Sequence, residues 1–103
     1  MEEAIAGYDW DEGNRSKCLK HGVSAEDVES VFLQPIMVLP DEAHSGGEAR
    51  TKAIGKTAAG RYVFVVFTIR ERKGKRYVRP ISARNMHRKE IRHYEEENPN
   101  LQE

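Results

Sequence analysis

The hydrophobic pattern changes period along this chain. Val28, Val31 and Phe32 stand at i, i+3 and i+4, the stripe of an amphipathic helix. From Arg61 to Arg70 the period is two, with Val63, Val65, Phe67 and Ile69 on one face and Tyr62, Phe64 and Val66 on the other. A strand that is apolar on both faces belongs in the middle of a sheet.

Capping and turn signals mark the elements around these two. Ile5 to Trp10 reads as a short extended entry, after which Asp9 or Asp11 caps a first helix running through Cys18 and Leu19. Gly22 stops it, and Lys20 and His21 in the last turn complement the helix dipole. Ser24 caps the second helix, with Asp27 three residues on as an approximate capping box, and Pro35 ends it. Ile36 to Leu39 reads as a strand closed by Pro40 and Asp41, and residues 42–47 form a polar loop. A further strand covers Ala49 to Lys56, with a turn at Ala59 and Gly60 before the central strand.

Lys73 and Gly74 form a hairpin turn into a returning strand, Tyr77 to Ala83, where Pro80 implies a sheet edge or a bulge because it cannot donate to a ladder. Asn85 is expected to cap a last helix over Met86 to Glu96 that packs through His87, Ile91 and Tyr94. Arg84, Arg88 and Arg92 should line an adjacent face at i+4 spacing. Glu95 to Glu97 oppose the dipole, so the end should fray. The order predicts an α+β domain with two N-terminal helices, an antiparallel sheet of three to four strands and a C-terminal helix, the helices on one face. No repeat or linker interrupts it, so residues 1–103 are expected to form one domain.

A chain of 103 residues buries only a modest core, and 33% charged against 38% hydrophobic residues suits a soluble domain with a charged exterior. The longest apolar run, Tyr62 to Ile69, is strand length, and the N-terminus is acidic where a secretory signal would be basic. With the single Cys18 excluding an internal disulfide, a cytoplasmic protein is expected.

Net charge is zero, but the charges are segregated. Arg70 to His93 holds ten basic residues against two acidic, while the first 69 residues hold seven basic against eleven acidic and the tail from Tyr94 four acids and no base. Clustered Lys and Arg attract phosphates, so the basic third fits a polyanion-binding surface. A solvated strand pair and helix would give the same charge pattern.

Several strings then converge on one family. Trp10-Asp11, Lys20-His21-Gly22-Val23-Ser24, Val31-Phe32, Glu48-x-Arg50 with Ile54-Gly55, Thr68-x-Arg70, and Ile81-Ser82-Ala83-Arg84 followed by Arg88-Lys89-Glu90 and Tyr94 together resemble the signature of BrnT toxins, in the family's order and over nearly the whole chain. The resemblance implies a RelE-like fold and metal-independent ribonuclease activity without a cofactor. It also implies a BrnA-type antitoxin that covers the toxin and binds operator DNA.

Such cleavage needs a base for the 2′-hydroxyl, cations for the phosphate and an acid for the leaving oxygen. Arg84, Arg50 and Arg70 are the best clamps, because guanidinium offers a planar fork of donors and stays charged. Arg84 is equally readable as the partner of Glu90. Glu48 shares a strand face with Arg50 and serves either as base or, more in keeping with a carboxylate beside an arginine, as its holder. His21 is an acid or base by chemistry and a C-terminal cap by position. Lys20 is expected to contact a phosphate or carbonyl, and Tyr94 either acts on RNA or packs in the core.

Arg61, Arg79, Arg88, Lys89 and Arg92, with Arg70, are candidates for wider RNA contact. Cys18 and His21, with His44 or His87, fall short of a zinc pattern, and the Gly46-Gly47 and Gly55 positions lack nucleotide-binding context. Trp10 reads as a core anchor. Exposed strand edges leave homodimerisation open. The alternative to an enzyme is a catalytically silent RNA- or antitoxin-binding module on the same fold.

Overall fold

A computed structural model describes residues 5–40 and 49–99. The elements run β1 (Gly7–Tyr8), α1 (Glu12–Leu19), α2 (Ala25–Val31), β2 (Met37–Pro40), β3 (Thr51–Lys56), β4 (Tyr62–Arg72), β5 (Lys75–Asn85) and α3 (Arg88–Glu97). The architecture is α+β, as the pattern indicates. The strands form one mixed sheet in the order β1-β5-β4-β3-β2, with β1 parallel to β5 and every other pair antiparallel.

Five strands replace the expected three to four because the entry segment docks on the outer edge of β5. Ala6 N–H donates to Arg76 O and Asp9 N–H to Val78 O, both at 2.8 Å. A buried backbone group needs a partner, and two residues are too few to show a period in the sequence.

Local signals set both N-terminal helices. Asp11 caps α1 by accepting from the Asn14 backbone at 2.8 Å, while the Asn14 side chain accepts from Asp11 N–H at 2.8 Å. Ser24 and Asp27 exchange the same pair of bonds at the start of α2. Gly22 stops α1 with φ +81, a left-handed value glycine adopts without a Cβ clash. α1 ends at Leu19 with Lys20 as its C-cap, so His21 lies just beyond the helix rather than in its last turn.

Lys73 and Gly74 both take positive φ, 52 and 76, giving the two-residue turn whose twist matches that of β4 and β5. Of the sheet edge or bulge that Pro80 implies, the structure has the bulge: Val66 pairs with Ser82 and Phe67 with Pro80, leaving Ile81 as the extra residue.

The two faces of β4 carry two cores. Val63, Val65 and Phe67 pack with Cys18, Val23, Val28 and Val31 beneath α1 and α2, while Tyr62 joins Ile54, Met86 and Tyr94 on the other side, with Phe64 and Ile91 against them. The helices therefore do not share a face. A central strand apolar on both sides exposes a second surface, and α3 covers part of it. Trp10 anchors the entry, packing against the first core and donating from Nε1 to Glu29 Oε2 at 2.8 Å. Gly55 lets the segment after α2 cross closely over β3: a Cβ there would stand 3.0 Å from Ile36 Cγ2 and 3.2 Å from Val31 Cγ1.

The start of α3 also departs from expectation. Asn85 pairs with Val63 as the last residue of β5, and Met86 N–H donates to Tyr62 O at 3.0 Å. Ladder bonds outweigh the local capping preference of asparagine, and His87 becomes the N-cap. Arg84, on a strand, is consequently out of helical register with Arg88 and Arg92, and Met86 supplies the packing expected of His87, which is exposed. The helix continues through Glu97, because Tyr62 Oη donates to Glu95 Oε2 at 2.9 Å and His93 pairs with Glu97 one turn on.

Candidate functional site

Strand alternation and register assemble a site on the sheet face opposite α1 and α2. Lys52, Val66 and Ser82 form one cross-strand row, and Ile54, Phe64 and Arg84 the next. α3 covers the Ile54 and Tyr62 end. Beyond it lies a recess of about 220 Å³ lined by His21, Lys52, Phe64, Val66, Ser82, Ala83 and Arg84. His21 reaches it from the loop after α1. That loop is pinned to the end of β5: Asn85 Nδ2 donates to His21 O at 3.4 Å, and Arg61 Nη1 donates to Gly22 O at 3.4 Å and to Asn85 Oδ1 at 3.3 Å.

Arg84 is held on two sides. Its guanidinium carbon stands 4.4 Å from the centre of the Phe64 ring, and Lys52 Nζ stands 5.1 Å from the same ring, from the neighbouring strand. Arg84 Nη1 and Nη2 donate to Glu90 Oε1 and Oε2 at 3.0 and 2.9 Å, and Nη1 also donates to Asn85 O at 3.1 Å. The Arg84 fork, with help from the His87 backbone N–H, holds the Glu90 carboxyl down at about 2, and Glu90 in turn raises the Arg84 pKa. Both groups are therefore charged at neutral pH. A guanidinium has five N–H donors, so these contacts leave Nε–H and one Nη2–H for an anion. None of the residues lining the recess is a carboxylate.

The other sequence candidates are distributed as follows. Arg50 sits one residue before β3 and two before Lys52, placing it on the same face by alternation. Its Nε is buried with no hydrogen-bond partner among the described residues. Glu48 and His44 lie outside the described residues. Lys20 is exposed beside His21 and does not line the recess. Tyr94 is buried, meets Tyr62 edge to face at 5.6 Å, and burial raises its hydroxyl pKa.

Tyr94 lines a separate groove of about 460 Å³ with Pro35, Ile36, Met37, Glu97, Asn98 and Pro99. That groove is the larger of the two, but it lacks a cationic side chain to hold a phosphate, so the smaller recess is the better candidate for chemistry on RNA.

The basic residues proposed for wider contact do not form one cluster. Arg61 pairs with Asp27 at 2.8 Å. Arg79 pairs with Asp11 at 2.7 Å and Asp9 at 3.6 Å, at the rim where the entry segment meets β5. Arg70 stands opposite Tyr77 toward the hairpin, about 20 Å along β4 from Phe64 at ordinary strand rise. Arg88, Lys89 and Arg92 are exposed on α3, which turns Ile91 and Tyr94 to the sheet. Cys18 is fully buried in the first core, away from metal or redox chemistry at the surface.

Sequence reasoning missed Lys52, Phe64 and Ser82 as site residues. Lys52 carried one usable signal, its i, i+2 relation to Arg50. Its placement beside Arg84 required the register of three strands.

No helix among the described residues is long and apolar enough to cross a membrane. No curated protein matches the chain. A family model described as the ribonuclease toxin BrnT of type II toxin-antitoxin systems matches residues 10–90, from Trp10 through Glu90, and so takes in His21, Arg50, Lys52, Arg84 and Glu90 but not Tyr94. Membership carries with it an RNA target and an antitoxin partner. With most of its length matched, the chain belongs to the BrnT family of ribonuclease toxins of type II toxin-antitoxin systems.

Proposed function

We propose that this chain is a cytoplasmic endoribonuclease with a RelE-like fold that cuts RNA in the recess between His21 and Arg84, without a metal ion, and is held inactive by a BrnA-like antitoxin covering that face. The observation that carries the reading is that a histidine and two cations line one recess whose lining holds no carboxylate. A cationic, carboxylate-free cleft favours a phosphodiester.

In this reaction the 2′-hydroxyl loses its proton to a base and its oxygen attacks phosphorus. The bond to the 5′-oxygen breaks, and that oxygen takes a proton, leaving a 2′,3′-cyclic phosphate and a 5′-hydroxyl. His21 is the group in the recess whose imidazole can take and give a proton. Arg84 presents its two remaining donors to the phosphate oxygens, where charge builds in the transition state. Arg50 extends the cationic surface, and Lys20 meets RNA at the rim. Tyr94 serves α3 packing.

Glu90 is too acidic to donate or accept a proton at neutral pH, and its role is to orient Arg84. Because Arg84 is already engaged by Glu90 and Asn85, a silent RNA- or antitoxin-binding module is the second reading.

Gel analysis of total RNA with the wild type, Arg84→Ala and His21→Ala separates the two. Cleavage by the wild type that is lost in both variants supports the enzyme. No cleavage by any of the three, or equal cleavage by all, overturns it.

A further inference from the structure

We propose that Lys52 forms a second phosphate subsite beside Arg84, holding the RNA phosphate adjacent to the scissile one. The inference rests on the ribonuclease reading of the recess and specifies how substrate is held there.

Lys52 is on β3 and Arg84 on β5, and β4 lies between them. Phe64 of β4 is the spacer: its half-buried ring takes the Lys52 ammonium at 5.1 Å and the Arg84 guanidinium at 4.4 Å. The ring's negative faces steady both cations without neutralising either. Arg84 has a carboxylate partner in Glu90, whereas Lys52 makes no hydrogen bond or ion pair among the described residues and lines a recess that has no carboxylate in its lining.

Glu90 offsets the charge of Arg84, whereas an anion entering the recess would supply the counter-charge that Lys52 lacks among the described residues. Arg50, two residues before Lys52, falls on the same face of the sheet by alternation and adds positive charge to that face. A single phosphate engages Arg84 through its two remaining donors. A second cation two strands away, across β4, matches the next phosphate of an extended strand better than the same one.

The test is a binding cycle that does not depend on turnover. Short 2′-O-methyl oligoribonucleotides, which cannot undergo 2′-hydroxyl attack, are made with one linkage at a time replaced by a neutral methylphosphonate. Affinity is measured by fluorescence anisotropy for the wild type, Lys52→Met and Lys52→Arg. In the wild type, neutralising either of two adjacent linkages should weaken binding. Lys52→Met keeps an unbranched side chain over Phe64, weakens binding of the unmodified oligomer about tenfold, as expected for a lost charge-assisted hydrogen bond, and abolishes the effect of one of those linkages while sparing the other.

Its salt dependence should fall by about 0.7 in slope, the single-strand value per cation, and Lys52→Arg should restore both. The subsite is overturned if Lys52→Met leaves both linkages as sensitive as before, if it reduces both equally, or if the protein binds an acidic peptide but no oligonucleotide. Failure of the ribonuclease reading would show separately, as intact linkage-specific binding with no cleavage of unmethylated RNA.

Discussion

Arg84 at the end of β5 and Glu90 in the first turn of α3 are joined by a two-pronged ion pair, 3.0 and 2.9 Å, and Glu90 Oε1 also accepts the His87 backbone N–H at 2.7 Å. One carboxylate thus starts a helix and aims a guanidinium into the recess.

The pair predicts a defined pH dependence. The Glu90 carboxyl stands at about 2 in the folded chain against an ordinary 4.5. A lowered folded value stabilises the fold in full above 4.5, and the advantage is lost as pH falls from there through 2. Glu90→Gln should therefore be less stable than the wild type at neutral pH, and the gap between their urea midpoints should narrow across that acid window. A constant gap would show that the carboxylate charge is not what matters.

For His21, replacement by alanine is expected to lower the cleavage rate by about a hundred- to ten-thousandfold, the range for loss of a general acid or base. Its imidazole makes no hydrogen bond to the described residues, so thermal stability should change little. A variant that cleaves at the wild-type rate would remove His21 from the reaction.

Among the described residues of the N-terminal half, Asn14 has the most heavily engaged polar side chain. It takes part in the capping box of α1, and its Nδ2 donates to Asp9 O at 3.0 Å and Pro80 O at 2.8 Å. Asn14→Ala should cost about 2–3 kcal/mol, from the lost acceptor for Asp11 N–H and a buried carbonyl left unsatisfied. Asn14→Asp preserves the capping acceptor but turns an anion toward two carbonyls, so it should not rescue. Chemical denaturation of the three proteins decides this, and full stability of the aspartate variant would count against the role given to Nδ2.

Tyr62→Phe should remove about 1 kcal/mol, the worth of an ordinary hydrogen bond, by deleting the donation to Glu95, while cleavage stays at the wild-type rate. Burial, then the bond to Glu95, pushes the Tyr62 hydroxyl from 10.0 up to about 12. A raised value means that the contribution is complete below 10 and disappears as pH rises toward 12, so the two proteins should converge in stability only in strong alkali.

Features that neighbours within a few residues can satisfy are legible along the chain: the Ser24–Asp27 box, the stop at Gly22, the turn at Lys73 and Gly74, an irregularity at Pro80, and a central strand apolar on both faces. His21 and Arg84 are legible too, because their chemistry is visible in the residue type. Long-range packing settles that the entry segment adds a parallel strand, that Asn85 completes a ladder instead of capping α3, and that α3 covers the face opposite α1 and α2.

It alone placed Lys52 beside Arg84 and kept Tyr94 beneath α3. These outcomes depend on partners far along the chain, such as Asn14 and Pro80, 66 residues apart. Hydrogen-bond demand and apolar burial at such separations are settled by strand register, and a register one residue different would turn Lys52 to the opposite face of the sheet.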